Sequence, residues 1–120
     1  MRSLHDKITA QAKGIHPAEA AALLITTALD GRLPNQLIIA WETDTMAEID
    51  WDESRQTLGY LSGGERRIFD LADSLATGQP INLGHALVGL DDTNARIALR
   101  AIACALQVSV PLVTEQGNVR

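Results

Sequence analysis

The residues best placed to do chemistry stand together at one helix start. Ser62 and Glu65 frame Gly63-Gly64, and Arg66-Arg67 follow at once. Exposed amide N–H groups, the positive end of a helix and two guanidinium ions favour an anion, so Ser62, Gly63, Gly64, Arg66 and Arg67 form one candidate phosphate- or small-ligand-binding set. The plainer reading is a capping box, in which Ser62 and Glu65 satisfy one another's backbone and no ligand is needed. A second set is acidic. Glu42, Asp44, Glu48, Asp50, Asp52 and Glu53 have no basic residue between them. On a strand, Glu48, Asp50 and Asp52 share one face, and hard cations seek converging carboxylate oxygens. Those three are the candidate metal ligands, and the acids of a metal-assisted or acid–base enzyme. The glycine and terminal glutamate of a calcium loop are missing, and a solvated sheet face that discourages edge pairing explains the same acids. Arg96 and Arg100 share a helix face; with Arg66 and Arg67 they make either a solvated surface or a docking patch for an acidic partner or a phosphate.

The other reactive residue types are isolated. His5, His16 and His85 follow no metal-binding spacing, and Ser62 is not in a Gly-x-Ser-x-Gly elbow. Cys104 lies among alanines and Ile102, the setting of a small buried hydrophobe rather than an activated thiol. No residue is assigned as catalytic and no cofactor is expected.

Leu61-Ser62-Gly63-Gly64-Glu65 resembles the signature motif of ABC-type ATPases, and Gly89-Leu90-Asp91 falls about where that family places its D-loop. The resemblance implies a serine and glycines facing the terminal phosphate of a nucleotide held by a partner subunit. It stops at the residues hydrolysis requires. Gly84 stands where the magnesium-binding aspartate belongs and His85 where the catalytic glutamate belongs, and no Gly-x-x-x-x-Gly-Lys-Ser/Thr loop exists. ATP hydrolysis is therefore not expected. As a unit, Ser62 to Asn94 resembles small proteins of actinobacteria and their phages, which implies a high-GC bacterial or phage origin and an accessory role.

The elements that would carry these residues are signalled by caps and periodicity. Ser3 and Asp6 resemble a cap, Leu4, Ile8 and Ala12 repeat at helical spacing, and Gly14 stops the helix. Pro17 suits the first turn of a second helix running through Ala20 to Leu29 until Asp30-Gly31, apolar nearly all round and so expected deep in the core or in an interface. Gln36 to Glu42 has the texture of a buried strand, with a helical reading of Leu37–Trp41 left open. Glu42-Thr43-Asp44-Thr45 would turn into a second strand in which Ala47, Ile49 and Trp51 alternate with Glu48, Asp50 and Asp52. Thr57 to Tyr60 offers a short third strand.

From Ser62 the pattern is helical, with Ile68, Leu71, Ala72 and Leu75 on one face and Gly78-Gln79-Pro80 as terminator. Leu83 to Leu87 gives one more turn. Asp91 caps a last helix whose apolar side is expected at Ala95, Leu99, Ile102 and Leu106, with Ala98, Ala103 and Ala105 allowing close approach of a neighbour. Val108 to Thr114, with Pro111, reads as an edge strand or tail.

These elements specify a single α+β domain over residues 1–120: two N-terminal helices, a small antiparallel sheet (a hairpin plus the third strand) and two C-terminal helices. At 120 residues with 46% hydrophobic composition, a core needs no disulfide or metal. A net charge of −5 with only two lysines, Lys7 and Lys13, offers no basic stripe for nucleic acid. The single cysteine fits a reducing, cytoplasmic setting, and no apolar run approaches membrane-spanning length. The function expected is a non-enzymatic protein-interaction or accessory role. The alanine-rich second and last helices suit close helix–helix packing, within the chain or across a homodimer.

Overall fold

The computed structural model describes residues 2–57, 59 and 61–108, and its first helix starts where Ser3 caps it. The Ser3 side chain accepts from the Asp6 N–H at 3.1 Å, opening α1 (Leu4–Ala12). Gly14, at φ 96°, turns the chain into α2 (His16–Thr27), which carries Pro17 in its first turn. Ala20, Ala21, Ala22, Leu24 and Ile25 of α2 are all buried, as an all-round apolar helix must be.

This helix ends two residues earlier than its apolar pattern. Leu29 and Asp30 take left-handed conformations at φ 55° and 57°, followed by Gly31 at 73°. Non-glycine residues adopt that region at a cost, so something must hold them there. Two distant groups do: the Asn94 side chain accepts from the Leu29 N–H at 2.9 Å, and the His5 ring nitrogen bonds the Gly31 carbonyl. A short 3₁₀ turn, Leu33–Gln36, leads into the sheet.

The sheet is a two-stranded hairpin. β1 (Ile39–Glu42) and β2 (Ala47–Ile49) run antiparallel, pairing Ile39 with Ile49, Trp41 with Glu48 and Glu42 with Ala47, with an irregularity between Ile39 and Trp41. Thr43 and Met46 close the turn through a 2.8 Å backbone bond, at the expected place. Three expectations change. The strand begins at Ile39 rather than Gln36 and is largely exposed, with Ala40, Trp41 and Glu42 open to solvent. The helical alternative for Leu37–Trp41 is not adopted. The second strand stops at Ile49, where Asp50 accepts from the Glu53 N–H at 2.9 Å and caps α3 (Trp51–Gln56). Thr57 is the C-cap of α3; the remainder of the proposed third strand includes Leu58 and Tyr60, outside the described residues, as is the tail beyond Val108.

α4 (Gly63–Thr77) starts at the Ser62/Glu65 capping box and ends at Gly78, φ 80°. α5 (Leu83–Leu87) is capped by Asn82, and α6 (Asp92–Leu106) by Asp91. α2 is the hub: it packs most extensively against α6, then α4, then α1, while β2 rests on α1. Phe69, fully buried, meets Trp51 with ring centroids 5.6 Å apart, tying α3 to α4. The buried residues of α6 are Asn94, Ile97, Ala98, Ala101 and Ala103, not the expected row, although Ala98 and Ala103 pack closely as their size suggests. Ala95, Leu99 and Leu106 face solvent and Ile102 is half-buried. On the inner side Ala98 and Ala101 let two backbones approach closely beside the buried Ile97, while Leu99 and Leu106 stay out.

Candidate functional site

The Ser62 turn is built as a cap, and its polar groups are engaged. The Ser62 side chain accepts from the Glu65 N–H at 3.2 Å, and the Glu65 carboxylate accepts from the Ser62 N–H at 2.9 Å. The second carboxylate oxygen takes Gln36 Nε2 at 2.9 Å and Arg32 Nε at 3.0 Å. The Ser62 N–H above all, then Gln36 and Arg32, outweigh the effect of burial and hold the Glu65 carboxyl down to about 2. A fixed negative charge thus stands at the end of the helix where a phosphate would bind. Arg66 pairs with Asp70 at 3.0 Å, one turn on in the same helix. Arg67 donates to the His85 carbonyl at 3.3 Å, and its guanidinium lies beneath Gly89, where an added Cβ would meet it at 3.2 Å. Ser62, Gly63, Gly64, Arg66 and Arg67 are therefore neighbours in space as in sequence, but the two arginines are turned to Asp70 and to the α5 loop.

The acidic set does not converge. Glu48 lies on β2 opposite Trp41, Asp50 caps α3, and Asp52 pairs with Arg55 at 2.8 Å. The shared strand face ends when the chain becomes helical at Trp51. Glu42 is taken by Lys7 at 2.7 Å. Among the described residues no group of three or more His, Cys, Asp or Glu is placed to hold a metal ion. Asp44, Glu48 and Glu53 form no ion pair among those residues.

One charged pair is structural. Arg55 reaches the buried Asp73 through Nε at 2.7 Å and Nη2 at 2.8 Å, and Thr77 adds a 3.0 Å bond. The bond to Asp73, then that to Asp52, raises the Arg55 guanidinium above its ordinary value. This fork binds α3 to α4. His16 pairs with Glu19, His85 lies at the surface, and Cys104 is half-buried. Among the described residues no helix is long and apolar enough to cross a membrane.

Two surface features escaped the sequence reading. The outward row of α6 exposes Leu99 (44%) and Leu106 (65%) alongside Ala95 and Ile102. A groove of about 270 Å³ lies between α1, α2, β2 and α3, with Ile8, Ala12, Ile15, Ala47, Ile49 and Trp51 in its wall. The first had a signal in the 4-3-4 spacing of its residues, assigned to the wrong side. The second had none, since its walls come from stretches far apart in sequence. The chain matches no protein-family model, no curated protein and no solved structure.

Proposed function

We propose that this protein acts by binding another protein, in a non-enzymatic accessory role, and that the outward row of α6 is the surface it uses. The observation that carries this reading is the exposure of Leu99 and Leu106 on a helix already packed on its alanine side. Positions 95, 99, 102 and 106 follow the spacing of a coiled-coil seam, which places four side chains in one line. Single exposed leucines are ordinary, but an aligned row makes a patch, and burying each leucine is worth about 1.5–3 kcal/mol. A second copy of the chain is one partner this seam admits.

The test is capture of partners by the tagged chain in its native host, beside a Leu99→Glu/Leu106→Glu variant of unchanged melting temperature. A protein recovered with the wild type and lost with the variant supports the reading. Equal recovery with both, or none with either, defeats it. Light scattering separates the two forms of the proposal, since a clean monomer at micromolar concentration leaves only a different partner.

A phosphate-binding role at Ser62-Gly63-Gly64 ranks below this. An incoming phosphate would sit beside the Glu65 carboxylate, and repulsion between the two opposes the attraction of the amides. Nucleotides and inorganic phosphate at millimolar concentration are expected to leave the melting temperature unchanged; a clear rise with saturating ligand reverses the ranking. A metal-assisted role for Glu48, Asp50 and Asp52 ranks last, for the reason their divergence gives. Titration calorimetry with magnesium, calcium and manganese checks it.

A further inference from the structure

We infer that the groove between α1, α2, β2 and α3 is a second docking site, and that its occupant is a basic protein segment presenting an aliphatic side chain. The inference shares the interaction reading but not its surface, since no residue of α6 lines this groove.

Ile15 supplies the first argument. It is the N-cap of α2, with no side-chain cap bond, and is 63% exposed. Serine, threonine, aspartate or asparagine would stabilise that position, and a β-branched apolar residue does not. A residue that breaks a local rule on the lip of an apolar groove points to a role outside the fold. Ile8, Ala22, Ala47 and Ile49 form a buried apolar floor, and Trp51 adds an aromatic wall.

Size and charge then narrow the occupant. A volume near 270 Å³ falls below the roughly 300–1,000 Å³ of small-molecule pockets, and suits an inserted side chain better than a whole ligand. Glu48 lines the groove, and within the same hairpin and α3, Asp44 and Glu53 also lack an ion-pair partner among the described residues. No lysine or arginine lines the groove among the described residues. Lys7 is held by Glu42, and Lys13 lines a separate concavity with Asp6 and Glu19. An apolar socket with the carboxylate of Glu48 in its wall, on an acidic hairpin, is complementary to lysine or arginine flanking a leucine-like side chain.

The probe is a synthetic nine-residue peptide alternating lysine and leucine, titrated into the isotope-labelled chain and followed by amide and indole NMR shifts. Saturable shifts at Ala12, Ala47, Glu48 and Trp51 are expected, weakening as salt rises. A glutamate–leucine peptide should bind at least tenfold more weakly. Ile15→Ser should raise the melting temperature, because it supplies a cap, while weakening the peptide at least tenfold; a purely structural isoleucine would not separate the two readouts. Glu48→Gln should weaken binding and flatten its salt dependence. Leu99→Glu/Leu106→Glu should bind the peptide as the wild type does, so failure here and failure of the α6 seam are distinguishable. The proposal is overturned by no shift at millimolar peptide, by equal binding of the acidic peptide, or by wild-type affinity in Ile15→Ser. It is equally overturned by groove shifts that follow protein concentration without peptide, which would make the occupant a second copy.

Discussion

Glu65 does three jobs with one carboxylate: it closes the capping box, receives Gln36 and receives Arg32. Each bond favours the ionised form, so its folded value of about 2 lies below the unfolded 4.5. A depressed carboxyl stabilises the fold fully above the unfolded value and loses that contribution as pH falls through the folded one. Glu65→Gln should cost about 1 kcal/mol at neutral pH, the difference between charged and neutral hydrogen bonds. Its deficit relative to the wild type should shrink between about pH 4.5 and 2, read by urea denaturation at several pH values. Arg55 and Arg66 make a contrasting pair. Arg55→Ala strands the buried Asp73 carboxylate, whereas Arg66→Ala releases an Asp70 that water reaches. The first should lower the melting temperature clearly more than the second.

The helix starts were legible because a cap is a local event: Ser3, Ser62 and Asp91 each bond an N–H within three residues, as their spacing indicated. Asp50 and Glu53 held the same kind of signal for α3, hidden because alternation through Asp52 pointed to a strand. Long-range bonds had no such trace. Asn94 is a polar residue on the buried side of α6, and its purpose is visible only when the Leu29 N–H, distant in sequence, comes within 2.9 Å. That bond also explains why α2 stops at Thr27 despite an apolar pattern that continues. Asn94→Ala would leave a partly buried N–H without an acceptor and release the left-handed turn at Leu29 and Asp30. The expected cost is about 1–3 kcal/mol, measured by chemical denaturation. Hydrogen exchange at Leu29 to Gly31 should quicken before the rest of the chain opens.

At the scale of the whole molecule, the alanines of α2 and α6 admitted two readings, packing within one chain or pairing between two. Ala20, Ala21, Ala98 and Ala101 are buried within a single chain, and α2 packs more extensively on α6 than on α4 or α1. Ile97 joins the core, whereas Leu99 and Leu106 lie at the surface, although the helical spacing of their row marks a packed side. The two faces of α6 therefore respond differently to added bulk. Ala101, wholly buried, has no room for a larger side chain, and overpacking a tight core costs about 1–3 kcal/mol. Ala101→Leu should lower the melting temperature by the same amount at every protein concentration, because the strain is internal. Ala95→Leu, on the exposed row, should leave the melting temperature within about 3 degrees of wild type, since surface changes are worth about ±0.5 kcal/mol. If Ala101→Leu instead altered the oligomeric mass and spared the melting temperature, the alanine face would be an interface between copies, and the central α2–α6 packing would be wrong.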